Sequence, residues 1–465
     1  MSIGAVVLAA GQGTRMRSAL PKVVHPIAGR PMVGWVLDAL DGGGVAHTVV
    51  VVGHGAEVVR DALPAGVEVT VQEQQLGTGH AAQIGLAALD ASCDAVIVAC
   101  GDTPLLPSEL VARMVAEHGA ESRAATMLTA IVEDAAAYGR VVRGADGTVD
   151  RVVEARDASP DELAIVEYNA GLYVFDRAAL AAALDGLGSG NAQGEIYLTD
   201  ALEKFEGTVA ALVADDPMVA AGVNDRVDLA FCEAALQQRL REDLMRGGVT
   251  MPDPAAVYVD AGVSVGRDTV LWPGTHLRGG TSIGEGCTIG PDTWIADSTI
   301  GSGCTVVRAH VLDSELADGA QAGPFAYLRP ASRLEAGARA GTYVELKNTT
   351  LGPGAKVPHL SYIGDATVGE GTNIGAGNIT ANYDGFRKHR TAIGARVKTG
   401  SDCVFVAPVS VGDDAMTGAG SIITEDVPDG ALGIARARQS VIEGFTVKAA
   451  ARAAEAAAKA KEEGR

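Results

Sequence analysis

The second half of the chain repeats an aliphatic residue every six positions. Seven aliphatic residues follow this spacing between Val259 and Ile295, and after short shifts of frame it resumes as far as Ala415. A period of six matches neither the 3.6-residue turn of an α-helix nor the two-residue alternation of an ordinary strand. It is typical of a hexapeptide-repeat parallel β-helix, in which each short strand and its turn contribute one inward side chain. The spacing predicts this fold without fixing its handedness.

The predicted inward positions share this spacing in several runs. They are Val259, Val265, Leu271, Leu277, Ile283, Ile289 and Ile295, then Ile300, Val306 and Leu312, then Leu316, Ala322, Leu328, Leu334, Ala340 and Leu346, then Leu351, Val357 and Ile363, then Val368 and Ile374, and finally Val397, Cys403, Val409 and Ala415. One long interruption covers residues 377–391. An insertion into a solenoid lies on its surface, where it is free to bind a ligand.

Residues before about 224 follow a different pattern. Short β-branched runs such as IGAVVLAA (3–10) and DAVIVAC (94–100) alternate with helical patterns such as PMVGWVLDAL (31–40). This alternation predicts a Rossmann-like α/β domain with a mostly parallel sheet. Ligands of such sheets lie at the carboxyl ends of the strands. A helix predicted over 227–246, ending at Gly247-Gly248, links this domain to the repeat.

Charge and composition exclude several classes of partner. With 465 residues, the chain is expected to form two or three domains. A net charge of −21 argues against general affinity for nucleic acid or anionic membranes. No stretch is long enough to span a membrane, and the run 3–10 is expected to be a buried strand rather than a signal peptide. The six cysteines lack the spacing of a zinc site or disulfide scaffold, which favours a reduced, cytoplasmic protein.

The stretch LAAGQGTRMRSALPKV, residues 8–23, contrasts with this acidic background. Residues 1–37 contain four arginines and lysines and no acidic residue. A dinucleotide fingerprint would need a glycine where Met16 stands, and a P-loop would need a terminal GK[ST]. A glycine-rich turn between strand and helix still presents backbone N–H groups to phosphate. We therefore expect Arg15 and Lys22 to contact a phosphate ligand, the alternative being that both are solvent-exposed surface cations.

The order of these motifs resembles a known family. LAAGQGTRM followed by LPK, and then by a hexapeptide β-helix, resembles the bacterial bifunctional enzymes that join an N-acetylglucosamine-1-phosphate uridylyltransferase to a glucosamine-1-phosphate N-acetyltransferase. The resemblance implies a left-handed β-helix, a homotrimer, Mg²⁺, and UTP and acetyl-CoA as co-substrates. It also implies synthesis of UDP-N-acetylglucosamine for peptidoglycan and lipopolysaccharide-type glycans. The corresponding domains are 1–224 for uridylyl transfer, 225–248 as linker helix, 249–436 for acetyl transfer and 437–465 as an exposed helical tail.

The uridylyl-transfer site is partly a matter of residue type and partly of resemblance. Arg15 and Lys22 suit the nucleotide phosphates and the departing pyrophosphate. Asp102 is by itself equally consistent with a turn, whereas Asn224 by itself favours a cap of the linking helix. The resemblance makes both Mg²⁺ ligands, a role that for Asn224 is compatible with the cap. Cys100 stands where the family commonly has tyrosine, which we expect to alter packing only. The resemblance assigns UTP or UDP-N-acetylglucosamine binding to Leu8, Ala9, Ala10, Gly11, Lys22, Gln72, Gly77, Thr78, Gly139, Glu154, Asn169 and Asn224.

The acetyl-transfer site is predicted on the β-helix. With three hexapeptides in a coil, Arg329 and Lys347, which are 18 residues apart, share one edge and suit a sugar phosphate. His359 is the predicted general base, since the amine attacks only when unprotonated, and Glu345 is expected to orient it. The resemblance implies glucosamine-1-phosphate contacts at Arg329, Lys347, Tyr362 and Asn373. It implies acetyl-CoA contacts at Ala376, Asn382, Tyr383, Ser401, Ala419 and Arg436.

Two other functions remain open at this point. One is a monofunctional sugar nucleotidyltransferase whose β-helix is not catalytic, and the cluster of Lys347, His359 and Tyr362 argues against it. The other is a non-catalytic protein that binds sugar nucleotides, which would not need Asp102 together with Asn224.

Overall fold

A computed structural model describes residues 2–120, 123–135, 138–191, 193–462 and 464. The chain divides into two compact units, residues 1–282 and 283–465. Within the described ranges, no helix combines the length and apolar character needed to cross a membrane.

The first unit is built around one large sheet. Its strands are β1 (Ile3–Ala9), β4 (His47–Val52), β5 (Glu68–Val71), β6 (Ala95–Cys100), β7 (Ala125–Ile131), β8 (Arg140–Arg143), β9 (Val149–Val153), β10 (Glu167–Asp176) and β11 (Val209–Val213), while β2 (Pro26–Ile27) and β3 (Arg30–Pro31) form a separate two-stranded sheet. The main order is β11-β7-β10-β6-β1-β4-β5. Neighbours are parallel except around β10, which runs antiparallel to β6 and β7. The predicted α/β fold with a mostly parallel sheet is confirmed.

Helices cover both faces of this sheet. They are α1 (Met32–Gly42), α2 (Ala56–Asp61), α3 (Thr78–Ala88), α4 (Ser108–Ala120), α5 (Pro160–Leu163) and α6 (Arg177–Asp185). Helix α7 (Arg226–Arg246) instead contributes Cys232 and Leu236 to a third cluster with Met16 and Ile27. Alternate residues of β1 point to opposite faces, as the pleat requires. Val7 packs in one core cluster with Leu37 of α1. Val6 packs in the other with Leu86 of α3.

Helix α7 begins and ends at residues that suit its termini. The Asp225 carboxylate accepts the backbone N–H groups of Val227 at 2.8 Å and of Asp228 at 3.1 Å, and the helix ends before Gly247. The predicted linking helix is therefore confirmed. The interpretation of Asn224 as its cap is wrong, because the adjacent Asp225 fills that position.

Short parallel strands form the β-helix. The first unit contains β12 (Val257–Val259), β13 (Ser264–Val265), β14 (Val270–Leu271) and β15 (Thr275–Arg278), and β16 (Ser282–Ile283) lies at the division. The second unit contains β17 (Thr288–Ile289), β18 (Thr293–Ala296), β19 (Thr299–Ile300), β20 (Thr305–Val306), β21 (His310–Leu312), β22 (Glu315–Leu316), β23 (Gln321–Ala322), β24 (Tyr327–Leu328), β25 (Arg333–Leu334), β26 (Arg339–Thr342), β27 (Glu345–Lys347), β28 (Thr350–Leu351), β29 (Lys356–His359), β30 (Tyr362–Gly364), β31 (Ala366–Val368), β32 (Ile379–Ala381), β33 (Thr391–Ile393), β34 (Val404–Val406), β35 (Val409–Val411), β36 (Met416–Thr417), β37 (Ile422–Ile423) and β38 (Leu432–Gly433).

Strands of the second unit pair with their counterparts one coil away, which are three strands apart as far as β31 and mostly two strands apart after it. The three parallel ladders run β18-β21-β24-β27-β30-β32-β34-β37, β19-β22-β25-β28-β31-β33-β35 and β17-β20-β23-β26-β29. The predicted parallel β-helix is confirmed. Helix α8 (Phe445–Glu462) follows it and has no buried residue, as expected for an exposed tail.

The inward positions agree with the six-residue repeat at all but two places. Val265 is only partly buried, and in β21 the fully buried residue is Val311 rather than the predicted Leu312. The frame slips at this coil, and alternate residues of a strand face opposite ways, so an error of one position inverts the assignment.

The insertion is also shorter than predicted. Strand β32 belongs to the coil, so the loop proper covers only residues 382–390.

Candidate active sites

A cleft of about 530 Å³ opens at the carboxyl ends of β1, β5 and β6. Its lining includes a large part of the predicted nucleotide set, namely Leu8, Ala9, Ala10, Gly11, Lys22, Gln72, Gly77, Thr78 and Asp102. Gln75, Cys100 and Glu195 also line it, although sequence reasoning assigned none of them a ligand contact. A larger cavity of about 720 Å³, lined by residues such as His118 and Lys204, contains none of the predicted site residues.

The glycine-rich loop owes its shape to Gly13 and Met16. Gly13 adopts a left-handed conformation, with φ of 60°, and a single 3-10 turn, Thr14–Met16, follows. Met16 is 1% exposed and packs in one cluster with Ile27 and Val223. The residue that replaces the third glycine of a dinucleotide fingerprint is therefore a buried anchor for the loop.

Each of the two predicted cations binds one of the two predicted metal ligands, and Lys22 and Asp102 line this cleft. The Lys22 ammonium donates to the Asp102 carboxylate. Arg15 Nη2 donates to Asn224 Oδ1 at 2.9 Å. Burial lowers the pKa of Lys22 and the Asp102 carboxylate raises it, with a net upward shift, so Lys22 is charged. Only 17% of the Lys22 side chain is exposed, so the alternative of a surface cation does not hold for it.

Three residues predicted to hold the sugar also lie together. The Asn169 N–H donates to the Gly139 carbonyl at 2.9 Å, and Thr199 Oγ1 donates to Glu154 Oε1 at 3.4 Å. A Cβ added to Gly139 would lie 3.4 Å from Glu154 Oε1. Burial raises the pKa of Glu154, and it raises the pKa of the nearby Cys100 thiol to about 12. Cys100 is thus a neutral group that borders the cleft.

The edge of the cleft around Gln72 is held by side-chain hydrogen bonds. Gln72 Nε2 donates to the Gly77 carbonyl at 3.1 Å, and Thr78 Oγ1 accepts the Leu198 N–H at 3.0 Å. Gly77 has φ of 115°, and a Cβ there would lie 2.5 Å from the Ile196 carbonyl oxygen. The residues predicted to read uracil therefore sit on a rigid rim.

Glu345, Lys347 and Tyr362 lie on adjacent strands of one ladder in the second unit, and Arg329 directly follows β24 of the same ladder. Tyr327 stands opposite Glu345, and Glu345 opposite Tyr362. Arg329 Nη1 donates to Glu345 Oε1 at 3.0 Å, and the Arg329 N–H donates to the Leu346 carbonyl at 2.9 Å. The spacing of 18 therefore does bring the Arg329 and Lys347 backbones to adjacent coils.

Asp365 is a central residue of this cluster that sequence reasoning missed. It is 5% exposed and accepts hydrogen bonds from Lys347 Nζ at 3.3 Å, Asn348 Nδ2 at 2.7 Å and Asn382 Nδ2 at 2.6 Å. Burial raises the pKa of Asp365, but these donors outweigh it and the net pKa is lowered, so the group is a carboxylate. Its position 18 residues after Lys347 was the available signal.

Lys388, in the loop 382–390, adds a further positive charge beside Lys347. Proximity to Lys347 lowers the pKa of Lys388. Asn382 is buried against Asp365, whereas its neighbour Tyr383 is exposed. Of the two loop residues predicted to contact acetyl-CoA, only Tyr383 therefore faces solvent.

Most of the other predicted acetyl-transfer residues form a column at one corner of the coils. The Gly377 N–H donates to the His359 carbonyl at 3.4 Å, that of Asp402 to Ala376 at 2.7 Å, and that of Gly420 to Ser401 at 2.8 Å. Arg436 Nη1 closes the series on the Ala419 carbonyl at 2.9 Å. His359, Ala376, Ser401, Ala419 and Arg436 therefore share one corner. Asn373 lies just before it and is exposed.

The expected contact between Glu345 and His359 does not form. The Glu345 carboxylate instead accepts a hydrogen bond from Arg329. Within the described part of the chain, the His359 imidazole makes no side-chain hydrogen bond and is exposed to solvent. Thr342, not Glu345, stands opposite His359 in the strand register, which explains the difference.

Comparison with known proteins finds a nucleotidyltransferase family in the first half of the chain and a hexapeptide-repeat family in the second. The family described as MobA-like NTP transferase domain matches residues 5–138, and the bacterial transferase hexapeptide family (six repeats) matches residues 262–297. A protein named "Bifunctional protein GlmU" from Exiguobacterium sp. is 51% identical over 445 residues, which are 95% of this chain and 99% of that protein. Its namesake from Mycolicibacterium gilvum is 50% identical over 454 residues, 95% of this chain and 91% of that protein. The chain therefore belongs to the bifunctional GlmU family.

Proposed function

We propose that this protein makes UDP-N-acetylglucosamine in two steps. It transfers an acetyl group from acetyl-CoA to glucosamine-1-phosphate, and then a uridylyl group from UTP to N-acetylglucosamine-1-phosphate with release of pyrophosphate. The observation that carries the proposal is the pairing of Arg15 with Asn224 and of Lys22 with Asp102, the second pair lining the glycine-rich cleft. A protein that only binds a finished sugar nucleotide has no need of this arrangement. The product would supply peptidoglycan and lipopolysaccharide-type glycans.

Uridylyl transfer requires charge neutralisation and alignment more than covalent help. The loop 8–17 offers backbone N–H groups to the UTP phosphates, and Arg15 and Lys22 stabilise the charge that develops on the leaving pyrophosphate. Gly139, Glu154 and Asn169 hold the acetamido sugar so that its phosphate oxygen lies in line with the α-phosphorus. Gln72, Gly77 and Thr78 hold the uracil.

Asp102 and Asn224 fit Mg²⁺ by the chemistry of their donors. A carboxylate and an amide oxygen are hard ligands, and Mg²⁺ bound to nucleotide phosphates needs few protein ligands. When bound, Mg²⁺ supplies charge neutralisation at the phosphate oxygens. Because Lys22 and Arg15 occupy these same oxygens, UTP and metal should bind together. When the UTP phosphates attract Lys22 and Arg15, the Asp102 and Asn224 oxygens become free to bind the metal.

This competition gives a measurable effect of Lys22. Lys22→Ala removes the ammonium from the Asp102 carboxylate, so Mn²⁺ should bind the nucleotide-free protein about 10-fold more tightly, the equivalent of one charge-assisted hydrogen bond. Electron paramagnetic resonance of free Mn²⁺ measures this. Lys204→Ala, which changes an exposed lysine, is the matched control. Unchanged Mn²⁺ affinity in Lys22→Ala would show that Lys22 does not compete with the metal.

Acetyl transfer follows from the corner column and the adjacent cations. Arg329, Lys347 and Tyr362 bind the sugar phosphate, and Asn373 contacts the sugar. The amine nitrogen of glucosamine-1-phosphate attacks the thioester carbonyl while His359 takes a proton from that amine. The C–S bond then breaks to release coenzyme A. The Ala376 N–H, for which the described residues provide no partner, is the donor we assign to the tetrahedral oxyanion. Tyr383, Ser401, Ala419 and Arg436 line the path of coenzyme A.

We also propose a cytoplasmic homotrimer, in which β-helices pack around a threefold axis. An exposed apolar ridge supports association between copies of the chain. Phe325 is 49% exposed, Tyr343 58% and Leu360 64%, and they lie on successive coils. Leu360 follows His359, so a partner seated on this ridge would border the acetyl-transfer site. The cytoplasm is where UTP and acetyl-CoA are available.

Separate assays of the two half-reactions on the wild-type chain test this function. We expect product from both, with uridylyl transfer abolished by chelation of divalent metal and acetyl transfer unaffected by it. Uridylyl transfer without acetylation would favour the monofunctional alternative, in which the β-helix is not catalytic.

A further inference from the structure

The segment that carries Asn224 is tied directly to Asp102. Asp102 follows β6, whereas Asn224 ends the segment 217–224 that precedes α7. Between them, the N–H of the fully buried Val223 donates to the Asp102 carbonyl at 2.9 Å. The distance between the two ligand side chains therefore depends on how the peptide units on either side of Val223 are held.

Two tyrosines hold this segment from behind. The Tyr138 hydroxyl accepts the Gly222 N–H at 3.3 Å, and the Tyr168 hydroxyl donates to the Pro217 carbonyl at 3.4 Å. The two rings pack against each other with centroids 4.6 Å apart. The Gly222 carbonyl in turn accepts a hydrogen bond from Asn224 Nδ2 at 3.4 Å. The packing of the two rings thus fixes both tyrosines, and their hydroxyls bind the segment at Pro217 and at Gly222.

The Tyr138 hydroxyl and the Asp102 carboxylate both lie near Gly222. A Cβ added to Gly222 would lie 3.8 Å from the Tyr138 hydroxyl oxygen and 4.0 Å from Asp102 Oδ1. Tyr138 is not among the described residues that line the nucleotide cleft. Burial raises the pKa of Tyr138, so the phenol stays protonated at neutral pH.

We propose that Tyr138 is a positioning residue for metal binding, whose hydroxyl fixes the Gly222 peptide and thereby the separation of Asp102 and Asn224. This inference rests on the proposed metal site and names a residue that supports it. Groups that orient metal ligands typically contribute 10-fold to 100-fold in metal affinity. The hydroxyl alone carries the effect, because a phenylalanine ring would keep the packing against Tyr168.

The test compares Tyr138→Phe with Tyr168→Phe in the full-length chain. Mn²⁺ binding is measured by calorimetry in the presence of a non-hydrolysable UTP analogue, and binding of the analogue is measured separately in EDTA. We expect Tyr138→Phe to bind Mn²⁺ about 10-fold more weakly. Tyr168→Phe should lose less, because its hydroxyl reaches Pro217 and not the peptide beside Asn224. Acetyl transfer by the same preparations reports on the fold of the second unit.

The outcomes separate this inference from the proposed function. Weaker Mn²⁺ binding with unchanged analogue binding in EDTA supports the role of Tyr138. Equal Mn²⁺ affinity in Tyr138→Phe and wild type overturns it, and so does a parallel loss of both affinities, which indicates general damage to the cleft. If the wild-type protein itself neither transfers uridylyl groups nor binds Mn²⁺ with the analogue, the proposed function fails instead.

Discussion

His359→Ala should lose acetyl transfer by about 100-fold to 10,000-fold while uridylyl transfer continues at the wild-type rate. Without the imidazole, the amine loses the base that we assign to its proton, and a protonated amine has no lone pair for the thioester. The uridylyl site uses none of the residues in this column. Both half-reactions are measured on the same preparation, with free thiol from coenzyme A and released pyrophosphate as the readouts.

A matched control comes from the same β-helix. His310 is an exposed histidine that packs edge-on against Tyr327, outside the corner column. His310→Ala should retain both activities within about 3-fold, as expected of a surface substitution. Normal acetylation by His359→Ala would refute the assignment of the base and direct attention to Asp365 and its neighbours.

Arg15→Ala should reduce uridylyl transfer by roughly 100-fold or more and leave acetyl transfer intact. The guanidinium lies at the loop over the cleft and is bonded to Asn224 Oδ1 at 2.9 Å. Its removal takes away a cation from the leaving pyrophosphate and a hydrogen-bond partner from a ligand residue. We expect the loss mainly in kcat, because charge develops on the pyrophosphate in the transition state.

Arg17→Ala provides the control for this variant. Arg17 lies two residues away and is exposed, and among the described residues its side chain makes no hydrogen bond to Asp102 or Asn224. Its replacement should change uridylyl transfer by less than about 3-fold. An equal loss in Arg15→Ala and Arg17→Ala would indicate that net charge near the loop matters rather than the specific contact with Asn224.

The fold was predictable to the extent that it depends on local periodicity. Inward positions from Val259 to Ala415 repeat with the coil, so a single strand and its turn determine which residue faces inward. The failure at Leu312 arose where the frame shifts, because neighbouring residues of β21 face opposite sides. Phe405, fully buried, was missed because it lies outside the six-residue series.

The candidate sites were predictable where motifs are contiguous and less so where pairings are distant. The loop around Gly11 and Gly13 and the cations beside it could be found from the sequence. Its residues do not indicate, however, that Arg15 meets Asn224 across 209 positions of the chain, or that Asp225 takes the helix cap. Asp365 was also missed, since two of its three donors come from the preceding coil and the third from the loop 382–390.

The sequence by itself determined the α/β domain, the linking helix, the β-helix and the chemical types gathered at each site. These follow from periodicity, capping residues and the chemistry of short motifs, which act over a few residues. Only the tertiary structure decided which cation faces which oxygen, that Arg329 rather than His359 binds Glu345, and that Tyr138 reaches the segment of Asn224. Such contacts join residues far apart in the chain, and their geometry is set by how the strands and coils pack.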